Sequence, residues 1–154
     1  MNGWPLLRRW FSTKTPPLTL RPYQEECIKS CLDALNAGYS RIGVSSPTGS
    51  GKTTMFVSLI SRLAASPERP DATRSLIVVN SIELARQAAD TVRRILPNVS
   101  VDLEQGQHHR ASGLADITVA TYQSLLRGER ITKFDPKRLK AVIVDEAHHA
   151  TAPS

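Results

Sequence analysis

Ser46-Pro47-Thr48-Gly49-Ser50-Gly51-Lys52-Thr53-Thr54 is the stretch from which the rest of the chain can be read. Upstream of it, Arg41 to Ser45 contains Ile42 and Val44 and reads as a short buried strand. Downstream, Met55, Phe56, Leu59, Ile60, Leu63 and Ala64 recur at helical spacing, which predicts an amphipathic helix from about Lys52. Strand, glycine-rich turn and helix together make a phosphate cradle. Gly49 and Gly51 permit positive φ and turn successive N–H groups inward as an anion nest. The helix N-terminus aims partial positive charge at the same point. In such a cradle Lys52 reaches the β- and γ-phosphates of a nucleoside triphosphate and the Thr53 hydroxyl ligands Mg²⁺. Thr48, Gly49, Ser50, Gly51 and Thr54 complete the wrap around the phosphates. The general pattern opens on glycine, and Ser46 stands in that place here. A glycine-rich turn that binds nothing is the competing reading; Gly-Lys-Thr at a strand-to-helix junction argues against it.

A chain of 154 residues suits one domain with a sizeable core and hardly two. Its formal net charge is +6, and half of that excess lies in residues 1–17, where Arg8, Arg9 and Lys14 meet no acid. The mild excess left for the remainder permits a nucleic-acid partner without demanding one. Cys27 and Cys31, one helical turn apart, fit core packing better than a disulfide or a metal pair. No apolar run approaches the ~20 residues of a membrane span.

Residues 1–17 are basic, acid-free and rich in hydroxyls, with Leu6, Leu7, Trp10 and Phe11 among them. That is the signature of a mitochondrial transit peptide, and Arg9-Trp10-Phe11-Ser12 resembles a matrix-peptidase site cut after Phe11. A basic N-terminus with no address is the alternative. The folded domain then occupies 18–154. It opens with a helix at Leu20-Arg21-Pro22-Tyr23-Gln24, with Pro22 in the first turn and Gly38 at the C′ position. Tyr23, Cys27, Cys31, Ala34 and Leu35 form its predicted apolar stripe. Arg21 and Gln24 are either solvated or turned to a nucleotide, since a glutamine amide matches the N6–H and N7 edge of adenine.

Beyond the turn-rich Ser66 to Asp71, Ser75 to Asn80 carries the uninterrupted Leu76-Ile77-Val78-Val79 of a strand buried on both faces. Asn80 or Ser81 caps the next helix, whose Ala85, Ala88, Ala89, Val92 and Leu96 face inward before Pro97 ends it. Val99, Val101 and Leu103 alternate as a strand, and Glu104 to Gly113, with His108 and His109, reads as a solvated polar loop. Asp116 to Ala120 is a further strand and Thr121 to Leu126 a short helix. Arg127 to Lys137 is a charged connection, and Leu139 to Val144 a last strand. This alternation argues for a parallel sheet wrapped by helices, with its ligand at the carboxyl ends of the strands. Asp145 and Glu146 follow the last strand directly. There Asp145 can share Mg²⁺ with Thr53, and Glu146 can act as the general base toward the attacking water. His148 can sense the γ-phosphate.

On these residues the chain resembles the first RecA-like domain of a superfamily-two helicase of the DEAD/DEAH-box class, over about Leu20 to His149. Arg21-Pro22-Tyr23-Gln24 resembles the adenine-reading motif. Ser46 to Thr53 is similar to motif I, Asn80 to Gln87 to motif Ia, Thr121 to Leu125 to the threonine segment that follows, and Asp145 to His148 to motif II. The doubled histidine and the opening motif resemble the branch of restriction-enzyme translocases and mitochondrial DNA branch-migrating helicases. The resemblance implies ATP and Mg²⁺ as ligands, DNA before RNA as partner, and the mitochondrial matrix as location. It nominates Ser81, Arg86, Thr121 and Gln123 as contacts to one strand's sugar-phosphate backbone, which give register without sequence preference. A helix-surface arginine is the equal alternative for Arg86. The family's second RecA-like domain supplies an arginine finger worth ~10³–10⁵ in rate, and the sequence stops at Ser154, just past motif II. The expectation is therefore an N-terminal part of a motor, incomplete at its C-terminus and inactive alone. The alternative is a catalytically silent nucleotide- or nucleic-acid-binding module or short isoform.

Overall fold

The computed structural model describes residues 18–47 and 49–146. Its strands are β1 (Arg74–Val79), β2 (Val101–Glu104), β3 (Ile117–Thr121) and β4 (Leu139–Val144). They form one sheet, parallel throughout, in the order β2-β3-β1-β4. The helices are α1 (Pro22–Asn36), α2 (Lys52–Arg62), α3 (Ile82–Ile95) and the short α4 (Tyr122–Leu126), with 3-10 turns at Arg130–Lys133 and Pro136–Arg138. Among the described residues no helix is long and apolar enough to cross a membrane.

The apolar run of β1 feeds two cores because successive side chains of a strand point to opposite faces. Ile77 and Val79 pack with Ile117 and Val119 of β3 against Val57 and Ile60 of α2 and Ala85, Ala88, Ala89 and Val92 of α3. Leu76 and Val78 meet Ala111, Ala120, Leu125 and Phe134 on the other face. Each large apolar side chain fully buried in these clusters contributes about 1.5–3 kcal/mol. The alanines of α3 let that helix lie close on the sheet. Ser81 is its cap, its hydroxyl accepting from the Leu84 N–H at 3.2 Å, and the helix stops one residue before Leu96.

Three expectations are corrected. Arg41 to Ser45 is not a strand: it is unpaired, with Ile42 38% and Val44 48% exposed. A strand exists only through a ladder partner. β4, the sheet's edge, is hydrogen-bonded on its β1 side, and no described strand pairs with Arg41 to Ser45. Secondly, α1 buries Gln24, Ile28 and Cys31, while Tyr23 stays 42% exposed. The buried line is rotated because the Gln24 amide is drawn onto the phosphate loop, which turns Ile28 inward with it. Thirdly, the polar loop and the charged connection are not solvated throughout. Glu104 is fully buried, and Arg130 is 8% exposed. They form an ion pair, joined by Lys133 Nζ at 2.7 Å from Glu104 Oε2.

Candidate functional site

The phosphate loop is shaped by two residues in the left-handed region, Gly49 at φ 78° and Gly51 at φ 76°, with Gly51 as the N-cap of α2. The Ser50 N–H closes a turn onto the Pro47 carbonyl at 3.2 Å, and the Ser46 and Ser50 hydroxyls are hydrogen-bonded to each other. Helix α1 braces this loop from outside. Gln24 Nε2 donates to the carbonyls of Ser50 (3.1 Å) and Gly51 (3.4 Å), and the Tyr23 hydroxyl donates to the Ser50 carbonyl. Gln24 Oε1 accepts from the Arg21 N–H at 2.9 Å. Both ends of the Gln24 amide are thus engaged with backbone, and Arg21 itself is exposed. The contact is close: a Cβ on Gly51 would stand 2.6 Å from Gln24 Nε2.

The acid pair stands where β4 ends. The Asp145 N–H donates to the Val78 carbonyl at 2.9 Å, extending the ladder by one residue. Glu146 then turns away at φ 54°, a conformation that costs a non-glycine residue about 1–2 kcal/mol. Its N–H donates to Asp145 Oδ1 at 3.0 Å, which offsets part of that strain. Lys52, at the first position of α2, reaches across to both acids, with Nζ 3.1 Å from Glu146 Oε1 and 3.6 Å from Asp145 Oδ1. The hydrogen bond to Glu146 raises the Lys52 pKa, burial opposes it, and the charges of Asp145 and Glu146 add to the rise.

Thr53 and Thr54 sit half-buried in the first turn of α2. The hydroxyl of Thr53 and the carboxylate of Asp145 are hard oxygen donors of the kind Mg²⁺ takes, leaving its other positions to phosphate oxygens and water. The ammonium resting against two carboxylates marks the same place as favourable to positive charge. Thr48 and His148 lie outside the described residues, as does the 1–17 segment.

The strand order carries the rest of the carboxyl rim away from the acid pair, through β1 to β3 and then β2. Ser81 follows β1, while Thr121 ends β3 and Gln123 lies in α4. Gln123 Nε2 donates to the Asn80 carbonyl at 3.2 Å and stitches the two turns together. The Thr121 side chain is buried and its hydroxyl donates to Ser124 Oγ at 2.7 Å, so it faces the protein. Arg86 is exposed on α3. Sequence reasoning missed the Tyr23 hydroxyl and the buried Glu104. A charged residue closing an alternating strand, with Arg130 and Lys133 three apart further on, was the available signal.

The model of the family described as type III restriction enzyme, res subunit, matches residues 17–154. Over 153 residues the chain is 45% identical to a Schizosaccharomyces pombe protein provisionally named mitochondrial ATP-dependent helicase irc3, covering 99% of this chain and 24% of that protein. It is 40% identical over 137 residues to a Saccharomyces cerevisiae protein provisionally named ATP-dependent helicase IRC3, covering 88% and 20%. The chain therefore spans about a quarter or less of these relatives. Among solved structures, the Sulfolobus solfataricus SWI2/SNF2 ATPase core in complex with dsDNA superposes with a TM-score of 0.67 at 21% identity, covering 86% of this chain and 27% of that one. The Type ISP restriction-modification enzyme LlaGI, with a DNA substrate mimic, gives 0.63 at 21%, covering 85% and 15%. These two likenesses show the fold alone, a RecA-like parallel sheet with helices.

Proposed function

Since the chain belongs to the family described as type III restriction enzyme, res subunit, we propose that it is the ATP-binding part of an ATP-dependent helicase or translocase acting on nucleic acid, DNA before RNA. The observation that carries this reading is the meeting of Lys52 with Glu146 and Asp145. It joins a phosphate loop to an acid pair 94 residues further along the chain. The backbone N–H groups of Gly49 and of Gly51 to Thr54, with the Lys52 ammonium, would hold the phosphates of ATP, the Ser50 N–H being already bonded to Pro47. Thr53 and Asp145 would hold Mg²⁺, which when bound would supply positive charge to offset that of the phosphates. Glu146 accepts the proton of the water that attacks the γ-phosphate, and His148 reports on that phosphate. Lys52 leaves the carboxylates for the phosphates as nucleotide enters.

Arg21 and Gln24 would meet the adenine end of the nucleotide, Gln24 by giving up one of the backbone bonds its amide makes to Arg21, Ser50 and Gly51. Ser81, Arg86, Thr121 and Gln123 follow the rim along one strand's backbone, Thr121 through its main chain because its hydroxyl is already engaged. A second RecA-like domain is the partner that completes the site with an arginine; the relatives extend well beyond the matched stretch. Residues 1–17 act as a transit peptide to the mitochondrial matrix, a reading that the mitochondrial name of the S. pombe relative supports. The test is ATP binding and hydrolysis by the protein and by Lys52→Ala, with single- and double-stranded DNA and RNA. We expect Mg·ATP binding that Lys52→Ala weakens at least about tenfold, and DNA-stimulated turnover in the longer protein. Equal affinity in the two proteins overturns the site; binding without turnover under any condition identifies the silent module.

A further inference from the structure

Helix α2 and strand β4 lie antiparallel, the helix running away from the phosphate loop and the strand running toward it. From Lys52 to Leu63 the helix rises about 16 Å at ~1.5 Å per residue. From Lys140 to Asp145 the strand covers about the same distance at ~3.3 Å per residue. Their ends therefore meet at both extremes. At the loop end Lys52 contacts Asp145 and Glu146. At the far end Lys140 Nζ donates to the carbonyls of Leu63 (2.7 Å) and Ile60 (3.1 Å). These are last-turn carbonyls, at the negative end of the helix dipole, where a cation is favoured. Lys140 is half-buried. Arg62 adds a second tie at this end, with Nη1 and Nη2 each donating at 2.7 Å to a different carboxylate oxygen of Glu25 on α1.

Resting on the nucleotide-site reading above, we propose that Lys140 is a positioning residue. It clamps the far end of α2 to the start of β4, and so sets the axial register that keeps Lys52 and Thr53 opposite Asp145 for Mg·ATP. A slip of one residue along the helix moves α2 by ~1.5 Å and turns it ~100°. Such a shift breaks both end contacts at once and separates the two halves of the magnesium site. Lys140 touches no substrate; it acts through α2.

The test uses the full chain, with isothermal titration of ATP in Mg²⁺ and again in EDTA, well below each variant's melting temperature. Lys140→Met keeps the apolar stem and removes the ammonium; Lys140→Arg restores a cation able to donate to the same carbonyls. We expect Lys140→Met to weaken Mg·ATP binding about tenfold, with a smaller loss in EDTA, and Lys140→Arg to recover most of it. The EDTA comparison separates positioning from mere stability, because a loss of folding would lower both affinities alike. Wild-type affinity in Lys140→Met, or equal losses with and without Mg²⁺, would overturn the proposal. Should Lys140→Met not fold, Lys140→Gln is read in the same way. A wild type indistinguishable from Lys52→Ala removes the nucleotide site itself, and this inference with it.

Discussion

Gly51 joins two requirements at one residue. Its φ of 76° suits glycine, and its lack of a side chain leaves room for Gln24 Nε2, which would lie 2.6 Å from a Cβ. The glutamine end is flexible and can retreat, yet doing so gives up its bonds to Ser50 and Gly51. Gly51→Ala should therefore cost about 1–2 kcal/mol from the left-handed backbone, and about 1 kcal/mol more from the lost brace. In a Gln24→Ala background the second part should vanish, and a double-mutant cycle in urea reads that coupling directly. Additive effects would show that Gly51→Ala leaves the brace intact. The shape of the glycine-rich turn was legible at this scale, because the left-handed glycines and the helix that starts at Lys52 are local demands. That Gln24 and Tyr23 grip the loop from α1 was not, since nothing local distinguishes a solvated glutamine from an engaged one.

At the scale of elements, the starts of β2 and β3 are held by a reciprocal clamp. Asp116 Oδ2 accepts from the Ser100 N–H (2.9 Å) and hydroxyl (2.7 Å), and the Asp116 N–H donates to Ser100 Oγ at 2.8 Å. The bond from the Ser100 N–H and then that from its hydroxyl hold the Asp116 pKa below the ordinary carboxylate value, with Arg74 and Lys140 adding to the effect. A depressed folded pKa means that this stability is complete above the unfolded value and lost as pH falls through the folded one. Asp116→Asn should lower stability by under about 1 kcal/mol at pH 6, since the group is exposed and screened. Urea midpoints of the two proteins should converge as pH falls below about 3.9; a gap that stays constant would exclude the carboxylate as its source. The predicted strand at Arg41 to Ser45 fails at this same scale. Its alternation matches a strand, but the pattern does not supply a neighbour to bond with.

Across the whole molecule, the buried acid of β2 ties together segments far apart in sequence. Glu104 accepts from the Ala111 N–H and Lys133 Nζ, each at 2.7 Å, and pairs with Arg130. Arg130 also donates to the carbonyls of Gly106 (2.6 Å) and His109 (3.1 Å). Glu104→Ala leaves a buried guanidinium unpaired and should destabilise by about 3–5 kcal/mol, while Glu104→Leu with Arg130→Met should recover much of that. Urea unfolding of the three proteins checks it, and a single variant as stable as wild type would show the pair to be idle. By itself the sequence determined the glycine-rich turn before α2, the acids that follow β4, the doubly buried β1, the inward alanines of α3 and the parallel architecture. Each of these is written in spacings of a few residues, where backbone geometry alone fixes which side chains share a face. Only the tertiary structure decided that Lys52 rests on Glu146, that Lys140 caps α2, that Gln24 braces the loop and that Glu104 is buried. A polar side chain carries the same local pattern whether water or a distant partner satisfies it, and the partner is known only once the chain has packed.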